Sequence, residues 1–112
     1  MQLEREAFAY VTTTGRKSGL PREIEIWFAL EGRTLYLLSG RGERAHWVQN
    51  LRRDSRTLVR IADRRFTGHA RFIDSPGEDA RARELLGAKY DEDEASEWRR
   101  TALAVAIDLA EA

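Results

Sequence analysis

Two short stretches of this chain combine cations, hydroxyls and flexible backbone in a pattern suited to holding an anion. Gly15-Arg16-Lys17-Ser18-Gly19 sets two cations and a hydroxyl between glycines. Glycine lets backbone N–H groups converge on an anion, while Arg16 and Lys17 supply charge and Ser18 a donor. The stretch is not a Walker A loop, because Arg16 stands where that motif needs a glycine before its lysine. Ser39-Gly40-Arg41-Gly42-Glu43-Arg44 has similar chemistry just ahead of a helical pattern. The unpaired N–H groups at a helix start favour anions. Ile24, Ile26, Trp27 and Trp47 are close to these turns in sequence and could flank a flat ring. The combination suggests a clamp for an extended anionic ligand with a planar part.

Other chemistries have less to stand on. The two histidines, His46 and His69, are far apart and in no metal-binding spacing, so no metal site is expected. The absence of cysteine removes disulfides, thiolate metal sites and a cysteine nucleophile. No GxSxG elbow is present. Net charge is zero, but residues 1–72 carry 14 Lys/Arg against 8 Asp/Glu, and residues 73–112 carry 5 against 11. Seventeen of the 19 basic residues are arginine, whose planar fork suits phosphate and carboxylate. Overall neutrality and the lack of a recognition motif argue against nucleic acid as a partner. No apolar run is long enough to span a bilayer, and the first residues lack the order of a signal peptide, so a cytoplasmic location is expected.

The turns must be carried by short strands. A chain of 112 residues is expected to form one domain over residues 1–112. Phe8–Thr14 is β-branched and aromatic, and Arg22–Phe28 alternates with Ile24, Ile26 and Phe28 on one face. Thr34–Leu38 returns after a turn at Glu31-Gly32-Arg33, and a short helix is expected over residues 44–53. Two further strands follow, around Leu58 and over Phe66–Ile73. Pro76-Gly77 reads as a break, Ala80–Leu86 as helix with Gly87 as its cap, and Leu103–Leu109 as a last strand. Six strands with mostly hairpin connections cannot form a parallel sheet, and closing into a small barrel removes exposed edges.

The motifs also carry a resemblance. Thr12-Thr13-Thr14-Gly15-Arg16-Lys17-Ser18-Gly19, Pro21-Arg22, Leu38-Ser39, Trp47 with Asn50-Leu51-Arg52, and Arg56–Ile61 together resemble the deazaflavin (F420)-dependent nitroreductase and quinone reductase family. The similarity runs over about residues 8–109, more faintly at Tyr90, Trp98-Arg99-Arg100 and the last strand. The resemblance implies a mainly β fold, a six-stranded split β-barrel of the FMN-binding, pyridoxamine-phosphate-oxidase-like type. It implies coenzyme F420, with FMN as the alternative, and hydride transfer to a quinone, nitroaromatic or activated double bond. Carried over by position, Arg16, Lys17, Ser18 and Arg22 would hold the phosphate and acidic tail, and Ile24, Ile26 and Trp27 would border the ring. Ser39, Arg41, His46, Trp47 and Asn50 would complete the pocket.

No catalytic residue is assigned; Ser39 and Tyr90 are the candidate hydroxyls for the acceptor oxygen. The family's late tyrosines are replaced by Asp91-Glu92-Asp93-Glu94, and Glu23 and Glu25 stand close to the expected anion site. On the opposite face of its strand Glu25 could pair with an arginine. A homodimer is expected, since relatives of the fold often pair. The rival class is a non-catalytic module that binds a cofactor or small molecule without turnover.

Overall fold

Side-chain alternation governs the sheet. Strand β1 (Ala9–Thr14) buries Ala9, Val11 and Thr13 and turns Tyr10, Thr12 and Thr14 outward. The other strands are β2 (Pro21–Ile26), β3 (Ala29–Glu31), β4 (Thr34–Ser39), β5 (Arg56–Ile61), β6 (Arg64–Phe72) and β7 (Leu103–Glu111). In this computed structural model, which describes residues 2–112, they form one sheet in the order β2-β1-β5-β6-β7-β4-β3. Every neighbouring pair is antiparallel.

The connectivity forces this sheet to curl. Laid flat, its edge strands β2 and β3 would stand roughly 29 Å apart at the usual spacing between strands. Only Trp27 and Phe28 separate the end of β2 from the start of β3, a reach of about 11 Å. The edges must therefore meet at that end, which gives a split barrel joined at the Trp27-Phe28 link. There are seven strands rather than six, because the segment expected to run straight to Phe28 breaks at Trp27 and resumes as the short β3. Phe28 stays fully buried. Its backbone leaves the ladder and finds other partners: its N–H donates to Tyr90 Oη at 3.0 Å and its carbonyl accepts from Lys89 Nζ at 2.9 Å.

Val11, Leu35, Leu37, Val59, Ile61 and Ile107 fill the barrel. Helix α1 (His46–Arg53) packs against β1 and buries Val48 and Leu51. It starts two residues later than expected because Gly42–Arg44 forms a separate 3-10 turn. On the outer face of β4 and β7, α2 (Pro76–Lys89) sets Ala82 and Leu86 against Tyr36, Leu38, Ala104 and Ala106, and the short α3 (Glu97–Thr101) adds Trp98. Pro76, expected as a break, instead opens α2. Ser75 Oγ accepts the Glu78 N–H at 3.3 Å, and proline in the first turn gives up no needed donor. Gly87 is buried within the helix rather than capping it: a Cβ there would come within 2.6 Å of the Glu92 carbonyl and 2.8 Å of Arg99. Among the described residues no helix is long and apolar enough to cross a membrane.

Lys89 pins the end of α2 to the barrel seam, with its ammonium 3.6 Å from the Phe28 ring centroid. Burial holds its pKa down to about 8, from an ordinary 10.5, against the opposing pull of Glu4 and Glu6. The folded chain thus releases this proton near pH 8 while the unfolded chain keeps it to about 10.5. Unfolding takes up a proton in that window, so this group makes stability rise as pH increases through it. Urea midpoints at pH 7.5 and 9.5 should rise in the native protein relative to Lys89→Met; parallel behaviour of the two proteins would contradict the assignment.

Candidate functional site

The β1–β2 hairpin and α1 meet at one end of the barrel around a cleft of about 390 Å3. Its walls are Thr13, Gly15, Arg16, Lys17, Ser18, Arg22, Ile24, His46, Trp47 and Asn50. Register explains the first wall. Val11 pairs with Ile24 and Thr13 with Arg22, so the inward faces of both strands continue from the apolar core into the cleft. The same alternation sends Glu23 and Glu25 outward, away from the cations. Glu25 there accepts a hydrogen bond from Tyr10 Oη at 2.7 Å instead of pairing with an arginine.

The turn between the strands is closed by its own backbone. Gly15 N–H donates to the Leu20 carbonyl and Gly19 N–H to the Gly15 carbonyl, each at 2.8 Å. Gly19 has φ of 72°, a conformation that favours glycine. Ser18 Oγ accepts from Leu20 N–H at 3.1 Å and lies 3.4 Å from Arg22 Nη2. A Cβ on Gly15 would stand 2.7 Å from that hydroxyl, so the turn admits nothing larger there without moving.

The second wall comes from α1. Arg16 reaches across to it: its N–H and Nη1 donate to Asn50 Oδ1 at 3.1 and 3.0 Å, and Nη2 donates to His46 Nδ1 at 3.2 Å. A guanidinium can only donate, so this His46 nitrogen is the acceptor. Asn50 Nδ2 in turn donates to Thr13 Oγ1 at 3.0 Å. The partners of Arg16 and Arg22 are therefore neutral, and no carboxylate lines the cleft. None of the ion pairs among the described residues involves Arg16, Lys17 or Arg22. Their charge is not offset by any carboxylate of the cleft. Among the described residues no group of three or more His, Cys, Asp or Glu side chains could hold a metal ion.

Eight of the twelve residues singled out from sequence share this cleft: Arg16, Lys17, Ser18, Arg22, Ile24, His46, Trp47 and Asn50. Four lie outside its lining. Ile26 faces inward beyond Ile24 and packs on the barrel core. Trp27 sits at the seam, stacked on Tyr90 with ring centroids 4.2 Å apart and edge-on to Trp98. Ser39 is buried and donates to the Gly42 carbonyl at 3.0 Å, bracing the 3-10 turn. Arg41 stands at the start of that turn, where its carbonyl accepts the Arg44 N–H at 3.1 Å and its side chain makes no capping bond. The second glycine–arginine stretch thus contributes by leading into α1 rather than by lining the cleft.

Both candidate hydroxyls have backbone partners within the fold. Tyr90 Oη accepts from Phe28 N–H and donates to the Ala7 carbonyl at 2.8 Å, so it serves the seam. Burial pushes its phenol up, opposed by the bond to Phe28. Thr13 was not among the residues singled out. A polar residue at an inward position of an alternating strand is the signal that marks it.

Residues 1–110 match the family described as F420H(2)-dependent quinone reductase. The chain belongs to that family. This reductase therefore has coenzyme F420 as its redox cofactor. No protein with curated function matches it in sequence. Similar solved structures include an F420 reductase at TM-score 0.69 and 18% identity, covering 96% of this chain and 90% of that one. A structure described as a domain-swapped dimer has TM-score 0.77 at 18% identity, over 91% and 80%. An FAD-binding protein from Mesorhizobium loti has TM-score 0.68 at 16% identity, over 97% and 83%. At these identities the likeness concerns the fold, a split barrel shared also with a putative pyridoxamine 5'-phosphate oxidase from Listeria innocua at TM-score 0.69 and 20% identity, over 97% of this chain and 86% of that one.

Proposed function

We propose that the cleft between the β1–β2 turn and α1 holds F420, and that the reductase uses it to reduce a quinone, nitroaromatic or activated double bond. The observation that carries this reading is the meeting of Arg16, Lys17 and Arg22 with Ile24 and Trp47 in a cleft lined by no carboxylate. A flat redox group with a phosphate and an acidic tail needs these two surfaces side by side. Lys17 and Ser18 donate their backbone N–H groups to no partner among the described residues, which leaves them to the phosphate. At Gly15 and Arg16 the cleft adjoins a second hollow of about 450 Å3, where Arg53 and Arg56 stand beside Asp54. An acidic tail can run there.

When bound in its reduced form, F420 supplies a hydride to an electron-poor acceptor. The chain supplies placement and a fixed positive field. With Ser39 and Tyr90 engaged in the fold, no hydroxyl from this pair is assigned to the acceptor. A homodimer is part of the proposal. Leu58 on β5 and Leu20 beside the turn are 58% and 57% exposed, well away from the sheet face that α2 covers.

Fluorescence titration of the purified protein with oxidised and reduced F420, with FMN as control, tests the reading. Saturable F420 binding with weaker FMN binding is expected, followed by turnover on a panel of quinones and nitroaromatics. Binding of FMN alone would replace the cofactor assignment, and F420 binding without turnover on any acceptor would favour a carrier module.

A further inference from the structure

Asn50 is 3% exposed and lies on α1, away from the strand and turn that carry the cleft's cations, yet it bonds to that turn at Arg16 and to β1 at Thr13. Its carbonyl oxygen takes two donors, the Arg16 N–H at 3.1 Å and Arg16 Nη1 at 3.0 Å, which occupies both lone pairs. Its amide nitrogen gives one hydrogen to Thr13 Oγ1 at 3.0 Å, and Thr13 is itself 2% exposed. The orientation of the amide is forced, because backbone N–H and guanidinium can only donate. The acceptor sites of Asn50 are filled, and the second hydrogen of Nδ2 has no partner among the described residues. The side chain ties α1, the inward face of β1 and the glycine-bracketed turn together, and it does so with a neutral group.

That neutrality has a chemical consequence. Elsewhere the chain steadies arginines with carboxylates, as in Arg52 with Glu43 at 2.5 Å and Arg83 with Asp79 at 2.6 Å. Such a partner cancels most of the charge it holds. An amide oxygen fixes the direction of the guanidinium and leaves its charge in place.

We propose that Asn50 is a positioning residue that acts on the bound anion through Arg16, by fixing the turn backbone and the guanidinium without neutralising either. The proposal rests on the reading of the cleft as the F420 site. It adds an indirect role to the contact between Asn50 and the cofactor that the resemblance implies.

The test is a double-mutant cycle read by F420 titration. Asn50→Ala is made in the native and in the Arg16→Ala background, and Asn50→Asp in the native background alone. Asn50→Asp keeps an oxygen for Arg16 but converts the neutral clamp into an ion pair, so it separates charge from geometry and guards against a variant that fails to fold. Each substitution should raise the F420 dissociation constant about tenfold or more in the native background, and Asn50→Ala less than about twofold when Arg16 is already absent. Asn50→Asp should also flatten the salt dependence of binding. In the cofactor-free protein the Arg16 amide proton should exchange slowly with solvent, and faster in Asn50→Ala.

Equal losses in both backgrounds would show that Asn50 acts on the ligand without Arg16 and overturn the proposal, as would no loss in either. Unchanged exchange of the Arg16 amide would overturn the clamp itself. If the native protein fails to bind F420, the cofactor placement falls instead, and the exchange measurement still reports on the clamp separately.

Discussion

Alanine at both Arg16 and Lys17 should weaken F420 binding by at least about a hundredfold and leave the fold intact. Both side chains lie in the cleft, and neither takes part in an ion pair among the described residues, so removing them strands no carboxylate. A hydrogen bond to a charged group contributes about 1.5–3 kcal/mol, and about 1.4 kcal/mol is a factor of ten in affinity. Two such contacts account for the expected loss. The remaining binding should depend less on salt, because fewer charges are screened. Titrations at low and high ionic strength check both expectations. Native affinity in the double variant would remove the tail from this turn.

The second large effect is on stability. Gly68 lies in β6 opposite Thr57 of β5 and Leu109 of β7, where the barrel wall is tight. A Cβ there would stand 2.5 Å from Ile107 Cγ2 and 2.7 Å from Thr57 Oγ1, closer than van der Waals contact allows. The neighbours have little room to yield, since Ile107 is fully buried and Thr57 is 5% exposed. Gly68→Ala should therefore cost about 3 kcal/mol, the upper end for overpacking a core. In a chain of this size that lowers the melting temperature by roughly 12 °C. Gly68 does not line the cleft between the β1–β2 turn and α1, so the folded fraction should bind F420 as the native protein does. A melting temperature within a degree or two of native would mean that the wall relaxes easily.

The two variants separate the parts of the molecule. One removes the ligand's counter-charge and spares the barrel; the other strains the barrel and spares the counter-charge. Lys89→Met adds a third, confined to the seam, whose effect appears in the pH dependence of stability.

Much of this protein was legible in its sequence because it depends on neighbours along the chain. Strand β1 and the outward faces of Glu23 and Glu25 follow from a period of two. The cationic turn follows from its own glycines and basic residues. The motifs from Thr12 to Arg22 and from Trp47 to Arg52 were enough to indicate the family. Misreadings arose where a local signal has two meanings. Pro76 can break a helix or begin one, and the hydrogen bond from Glu78 N–H to Ser75 decides which. Gly87 can cap a helix or make room for a neighbour, and the approach of Arg99 decides that.

Only the tertiary structure decided which side chains work together. Asn50 is 34 residues from Arg16 and 37 from Thr13, and no periodicity links positions so far apart. Their meeting depends on the barrel closing at Trp27-Phe28 and on α1 burying Val48 and Leu51, which turns Asn50 toward the turn. The same packing gives Ser39 and Tyr90 backbone partners that their residue types alone do not reveal. Composition and spacing determined that an anion site beside apolar surface was to be expected. Long-range register and burial determined its walls, because a hydroxyl or an amide becomes a structural group or a functional one only when its hydrogen-bond partners are in place.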